Sequence, residues 1–96
     1  MSNEIEVEFR FVGSGEERLT EVIKIRRTKL VRLLLECAKA EERGGDFESA
    51  KHYEHLAELA RTAKKLVLRT CDVGACVSDV PIAVRDEIIE LADVIK

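Results

Sequence analysis

Hydrophobic and charged residues alternate strictly near the start of the chain. Between residues 4 and 12, the apolar positions Ile5, Val7, Phe9 and Phe11 are separated by charged residues. Such period-two alternation of β-branched and aromatic side chains predicts a strand with one buried face. The first element is therefore expected to be a β-strand that needs a partner for its backbone donors and acceptors.

The segment that follows has two interpretations. In the first, residues 13–15 (Gly-Ser-Gly) supply a turn and the chain returns as a second strand that ends near Ile25. The apolar face of this returning strand would carry Leu19, Ile23 and Ile25, with Glu21 interrupting it. We favour this hairpin, because it gives the first strand a partner within the same chain.

In the second interpretation, Ser14 and Glu17 form a capping box that starts one long helix. Apolar residues then recur at helical spacing to about Arg43, interrupted only by Arg26. This alternative stays open if the first strand pairs across a dimer axis.

Beyond Thr28 the spacing is helical. Thr28 is a candidate cap for a helix that ends at Gly44-Gly45, and Asp46 is a cap for a second helix that extends to about Arg69. The core face of the second helix reads Phe47, Ala50, Tyr53, Leu56, Ala57, Ala60, Ala63, Leu66 and Val67. The short linker predicts that the two helices lie antiparallel.

Residues 70–80 are irregular, and Pro81 fits the first turn of a last helix. Its apolar stripe is Val84, Ile88, Leu91 and Ile95. The sequence thus predicts an α+β, mostly helical fold in a single domain, residues 1–96. An N-terminal β-hairpin, or single strand, at residues 1–27 would be followed by a three-helix antiparallel bundle at residues 28–96.

Residues 45–57 resemble a known helical hairpin. Gly45, Asp46 and Phe47 form the turn, and small and aromatic residues follow at Ala50, Tyr53 and Ala57. This stretch resembles the first helix of a tetratricopeptide repeat and, more closely, the second helix of a microtubule-interacting-and-trafficking domain. With the neighbouring helices the similarity spans residues 28–96; the N-terminal strand and residues 71–80 depart from it. The resemblance implies a peptide- or helix-binding adaptor with an interhelical groove.

Composition narrows the function classes. The chain has 96 residues, 46% of them hydrophobic and 36% charged, which excludes a disordered tail. No apolar stretch approaches the roughly 20 residues that span a bilayer, and no signal-peptide run is present, so a cytoplasmic protein without membrane association is expected. Gln is absent and Asn3 is the single Asn, a composition typical of hyperthermophile proteins and also of designed sequences.

The charge is distributed in blocks. Residues 1–23 carry a net −4, residues 24–69 a net +5 and residues 70–96 a net −4. An antiparallel helical hairpin would bring the basic residues together at one end, as a patch for nucleic acid or an acidic partner. The candidate patch is Lys24, Arg26, Arg27, Lys29, Arg32, Arg61, Lys64, Lys65 and Arg69. The alternative, which we favour, is that these bases offset the acids of the two end segments.

The cysteines and histidines give few candidate sites. Cys71 and Cys76 are separated by four residues and form a candidate local disulfide, whereas Cys37 fits an apolar helix face. His52 and His55 could join Cys71 and Cys76 as zinc ligands, but the spacing matches no zinc module. We therefore expect no metal and no cofactor.

No nucleophile elbow, phosphate-binding glycine loop or H-E-x-x-H motif is present, and no catalytic residue is assigned. The sequence predicts a non-enzymatic protein–protein interaction module, an adaptor or regulator, that forms a homodimer through its exposed strand edge. Two alternatives stay open: a nucleic-acid-associated regulator that uses the basic patch, and a virus- or mobile-element-encoded inhibitor that binds a host complex.

Overall fold

The computed structural model describes residues 3–13, 16–71 and 79–94. Its elements are β1 (Glu4–Gly13), β2 (Glu16–Arg26), α1 (Arg27–Arg43), α2 (Phe47–Thr62), β3 (Lys65–Thr70) and α3 (Ile82–Val94). More residues lie in helices than in strands, so the predicted α+β, mostly helical class is confirmed.

The three strands form one sheet in the order β2-β1-β3. The central strand, β1, pairs antiparallel with β2 and parallel with β3. One side of the sheet, here called the covered face, packs against the helices and consists of Ile5, Val7, Phe9, Ile23, Ile25, Leu66 and Leu68. The other side is here called the open face, and its residues include Glu6, Glu8, Arg10, Glu17, Leu19, Val22, Lys24, Arg26, Lys65, Val67 and Arg69.

The predicted arrangement of a hairpin followed by a three-helix bundle is wrong, because the second helix ends early and a third strand follows it. α2 ends at Thr62 rather than near Arg69, and the next residue, Ala63, has an extended backbone (φ −70°, ψ 148°). Along β3, Leu66 is buried (5% exposed) and Val67 is 41% exposed. This alternation gives β3 one buried face, and β3 pairs parallel with β1, so the chain from residue 28 onward is not purely helical.

Residues 16–26 form a strand, so the alternative of one long helix from Glu16 to Arg43 is wrong. A β-bulge at Thr20 explains the irregular pattern of β2. Phe9 pairs with Glu21 and Arg10 pairs with Leu19, which leaves Thr20 as the extra residue. Its hydroxyl donates a hydrogen bond to the Phe9 carbonyl (3.2 Å). The bulge shifts Leu19 to the open face, where it is 58% exposed, rather than to the apolar face predicted for it.

The turn between α1 and α2 follows the predicted chemistry. Gly45 has a φ of +86°, in the left-handed region that favours glycine. Asp46 caps α2, because its carboxylate accepts a hydrogen bond from the Ser49 backbone (3.0 Å). Two details are corrected: α1 has Arg26 rather than Thr28 as its N-cap residue, and Phe47, predicted in the core, is 61% exposed because it lies at the very start of α2.

One continuous core joins the covered face of the sheet to the apolar sides of all three helices. From α1 it includes Leu30 and Leu34, and from α2 Tyr53 and Ala57. The last helix is confirmed: Val84 and Ile88 are buried, and Leu91 packs partly buried beside them. Pro81 precedes its first residue and accepts its first backbone hydrogen bonds. Ile95 lies outside the described residues.

Candidate protein-binding surface

The nine basic residues of the predicted patch lie on several surfaces. Lys65 and Arg69 belong to the open face, whereas Lys29 lines a groove between α1 and α3. Arg26 borders Asn3 and Glu4 at the end of the sheet. Lys24, also on the open face, lies near the end of α2, and the last four residues lie on or near the end of the helical hairpin: Arg27, Arg32, Arg61 and Lys64.

Arg27 holds three elements together. Its Nη1 atom donates hydrogen bonds to the carbonyls of Ala60 (2.5 Å) and Ala63 (2.7 Å) at the end of α2, and Nη2 donates to the Glu4 carbonyl (3.4 Å). The last carbonyls of a helix have no partners within the helix, and a cation there also complements the helix dipole. The start of α1 therefore lies beside the end of α2, as expected for an antiparallel pair, and Arg27 serves the fold.

Lys24, Arg27 and Lys64 surround a cavity of about 500 Å³ where the sheet meets the end of α2. The acidic side chains of Glu4 and Glu6 line the same cavity. The positive charge there is partly balanced, which favours the interpretation that these bases offset neighbouring acids.

The open face carries a network of ion pairs around Glu8. The Glu8 carboxylate contacts Arg10 Nε (2.6 Å) and Lys65 Nζ (2.9 Å), and these side chains leave Glu8 only 6% exposed. The hydrogen bond from Lys65, followed by that from Arg10, holds the pKa of Glu8 below its usual value, and Glu8 raises the pKa of both bases. Glu17 extends the network to Arg69 (3.6 Å).

A groove between α1 and α2, here called the α1–α2 groove, has a volume of about 460 Å³. Its apolar floor is Val31 and Leu35, both partly buried and one helical turn apart. Its other lining residues are Arg27, Thr28, Arg32, Glu36, Lys39 and Arg61. Four bases and a single acid thus border an apolar stripe.

Sequence reasoning assigned Arg27, Arg32 and Arg61 to a basic surface but missed Lys39 and the apolar floor. Val31 fits the buried stripe of α1 by its spacing, and only the position of α2 leaves it beside an accessible groove. Lys39 follows Leu35 by four residues, so the helical period places both on one side of α1. That periodicity is the signal that could have identified Lys39.

A second groove lies on the other side of α1, between α1 and α3, with a volume of about 450 Å³. Lys29 and Arg32 of α1 line it opposite Glu87 and Glu90 of α3. α3 carries four acidic residues and one basic residue, so an acidic helix lies beside two bases of α1 and one acid, Glu36.

The histidines and cysteines do not gather into a metal site among the residues that the structure describes. His52 contacts the Asp79 carbonyl (2.7 Å) through Nε2, whereas His55 is exposed. Cys71 is disulfide-bonded and Cys37 is a free thiol. Cys76 lies outside the described residues, so the pairing of Cys71 with Cys76 stays a prediction.

The thiol of Cys37 is poorly suited to nucleophilic chemistry. Burial, reinforced by Glu87, Glu36 and Glu41, raises its pKa, and the thiolate is the reactive form. The neighbouring Tyr53 is 6% exposed, and burial raises its pKa to about 12. Both groups therefore stay neutral near neutral pH.

Compared with protein-family models, curated proteins and solved structures, the chain matches none. The resemblance to tetratricopeptide and trafficking-domain hairpins stays a prediction. None of the described helices has the length and apolar character that crossing a membrane requires.

Proposed function

We propose that the protein is a non-enzymatic interaction module that binds an acidic, amphipathic α-helix of a protein partner in the α1–α2 groove. The observation that carries this proposal is the combination of an apolar floor, Val31 and Leu35, with a rim of four bases and one acid. A helix that lies in a groove is held by apolar residues at helical spacing, and flanking charges orient it and speed its association.

The dimensions of the groove suit a short helix. Its lining residues on α1 run from Arg27 to Lys39, which is about 18 Å along the helix axis at 1.5 Å per residue. A partner helix of about 12 residues would cover this length. Two apolar anchors four residues apart would meet Val31 and Leu35, and acidic residues on the flanks would face the basic rim.

The apolar floor favours a protein helix over a nucleic acid. Nucleic-acid surfaces track a phosphate backbone with bases and add aromatic side chains for stacking. The lining of this groove has no aromatic residue, and Glu36 lies within it. An acidic helix satisfies both the apolar and the basic parts of the surface.

The chain itself contains a comparable contact. α3 is an acidic amphipathic helix that packs beside α1, and its Glu87 and Glu90 line the same groove as Lys29, Arg32 and Glu36 of α1. Arg32 also lines the α1–α2 groove. α1 thus presents basic side chains to both of its flanks, and α3 lies along one of them.

A stapled helical peptide of about 14 residues, with two leucines four residues apart and glutamates on both flanks, serves as the probe. Fluorescence anisotropy should detect micromolar binding that weakens as salt is raised from about 50 to about 300 mM. The double variant Lys39→Glu/Arg61→Glu should weaken binding about tenfold or more. These residues are chosen because both are exposed and neither holds the fold as Arg27 does.

The matched control is Arg43→Glu/Lys51→Glu, which makes the same charge change outside the groove and should bind as the wild type does. A peptide with its leucines spread around the helix should bind at least tenfold more weakly. The proposal would be overturned if both double variants lost the same amount of peptide affinity. It would also be overturned if a DNA or RNA oligonucleotide bound more tightly and displaced the peptide.

A further inference from the structure

The two edges of the sheet differ. At the β3 edge, the segment before α3 covers the backbone of Arg69: the Asp79 carboxylate accepts a hydrogen bond from the Arg69 amide (2.9 Å), and the Asp79 amide donates one to the Arg69 carbonyl (2.8 Å). The Val80 amide donates to the same carbonyl (3.2 Å). Asp79 thus occupies both backbone hydrogen-bonding groups of Arg69 at this edge.

The β2 edge has no such cover within residues 3–13, 16–71 and 79–94. β2 pairs only with β1 there, and the side chains of residues 16–20 are all exposed. An edge strand of this length offers a row of backbone donors and acceptors to another strand.

We infer that a second copy of this chain occupies the β2 edge, with the two β2 strands antiparallel, so that a dimer contains one continuous six-stranded sheet. The charges of β2 support this occupant. Residues 16–21 carry three acids and one base, and residues 22–26 carry two bases and no acid. Charged residues normally discourage edge pairing, but an antiparallel copy brings opposite charges together here.

One register satisfies both the charges and the faces of the sheet. With Glu17 opposite Arg26 of the second copy, Leu19 faces Lys24, and Arg18 faces Ile25. Each of these pairs joins residues on the same side of the sheet. The open-face side of β2 carries Glu17, Leu19, Lys24 and Arg26, and the covered side carries Arg18 and Ile25. The bulges at Thr20 lie near the two-fold axis, with a paired segment on either side of them.

The exposed apolar residues of β2 support the same contact. Leu19 is 58% exposed and Val22 is 46% exposed, both on the open face. In the register above, these two side chains and their copies lie around the two-fold axis. Pairing would therefore bring four apolar side chains into contact on the open face and reduce their exposed area, which favours association.

Sedimentation velocity from about 10 to about 200 µM protein tests the dimer, since a contact of this modest size is expected to be half-formed in that range. Arg26→Glu should raise the dimer dissociation constant about tenfold, because it places an acid opposite Glu17 in both copies. Lys51→Glu on α2 is the matched control and should leave the constant unchanged. Both variants should keep their fold by circular dichroism, since neither side chain is buried or holds a capping bond.

Cross-linking tests the register in a Cys37→Ala background. The double variant Leu19→Cys/Lys24→Cys should oxidise to a covalent dimer, since the two positions face each other across the axis. Each single variant should stay uncross-linked, because a residue and its own copy lie five positions apart, about 17 Å, and a disulfide needs Cα atoms within about 7 Å.

A monomer at every concentration would overturn the inference, and so would a dimer that neither Arg26→Glu nor the double cysteine variant affects. This test is independent of the α1–α2 groove. The stapled acidic helix should bind Arg26→Glu as it binds the wild type, so loss of dimer with retained peptide binding contradicts the dimer alone. Intact dimer without peptide binding contradicts the proposed function alone.

Discussion

The two faces of β1 are held by different kinds of contact. On the covered face, Val7 and Phe9 are fully buried among apolar side chains from all three helices. On the open face, Glu8 is nearly as inaccessible, but its neighbours are the charged groups of Arg10 and Lys65. Apolar burial stabilises the fold without requiring particular directions, whereas the ion pairs specify which residues of β1 and β3 face each other.

The largest expected effect is the difference in stability between a side-chain truncation on the covered face and one on the open face. Phe9→Ala on the covered face should lower the free energy of unfolding by about 4 kcal/mol, because it opens a cavity at the centre of the sheet. Val67→Ala on the open face should lower it by less than about 1 kcal/mol, since that side chain is 41% exposed. Urea unfolding of both variants measures the difference. Similar losses would mean that the open face is also buried, as a covering partner would make it.

The second prediction concerns the hydrogen bonds by which Arg27 joins α1, the end of α2 and β1. Arg27→Met should lower the free energy of unfolding by about 2 kcal/mol, because the last carbonyls of α2 lose two hydrogen bonds from the charged Nη1 atom. Arg26→Met is the control: Arg26 is exposed and its side chain makes no capping hydrogen bond, so a loss within about 0.5 kcal/mol is expected. Equal losses would contradict the role assigned to Arg27.

Arg27 also shows what the sequence could and could not reveal. Its charge and its place near the start of a helix were visible, and so was the antiparallel turn at Gly45 and Asp46. Its hydrogen-bond acceptors, the carbonyls of Ala60 and Ala63, were not, because they depend on α2 ending there. A residue of the predicted basic patch therefore serves the fold, because it binds the end of α2.

β3 was missed for a related reason. The sequence predicts Leu66 and Val67 on the apolar stripe of α2, because two adjacent apolar residues fit a broad helical stripe. Only the pairing with β1 separates them, one to each face of the sheet. The six residues of β3 are too few for local alternation to outweigh the helical pattern before them.

The bulge in β2 shows the opposite case, in which an irregularity in the sequence carried information. Glu21, the charged residue next to the bulge, stays on the covered face opposite Phe9, whereas the bulge at Thr20 moves Leu19 to the open face. The charge of Glu21 indicated an irregularity at this point of β2, but the register with β1 was needed to identify Thr20 as the extra residue.

The third prediction concerns the titration of Tyr53, which lies on α2 in the helical layer over the covered face. Tyr53 is the single tyrosine and the chain has no tryptophan, so phenolate absorbance reports one site. Its midpoint should lie at about 12 in the folded protein and near the usual 10.0 in denaturant. Because the folded pKa is raised, the stability that neutral Tyr53 contributes is fully present below about pH 10 and is lost as the pH rises through about 12. A single midpoint near 10 in both states would mean that Tyr53 is hydrated.

The smallest effect is expected from the open face, and its pH dependence identifies it. The pKa of Glu8 lies below its usual 4.5 in the folded protein, so its contribution is present above about pH 4.5 and is lost as the pH falls through the folded value. Glu8→Gln should therefore be less stable than wild type near neutral pH. The difference in the free energy of unfolding, here called the gap, should disappear at acidic pH. Glu54→Gln, an exposed change on α2, should show no such closing gap. A gap for Glu8→Gln that stays constant with pH would mean that its carboxylate acts through shape rather than charge, and the open face would then resemble the covered face more than its ion pairs suggest.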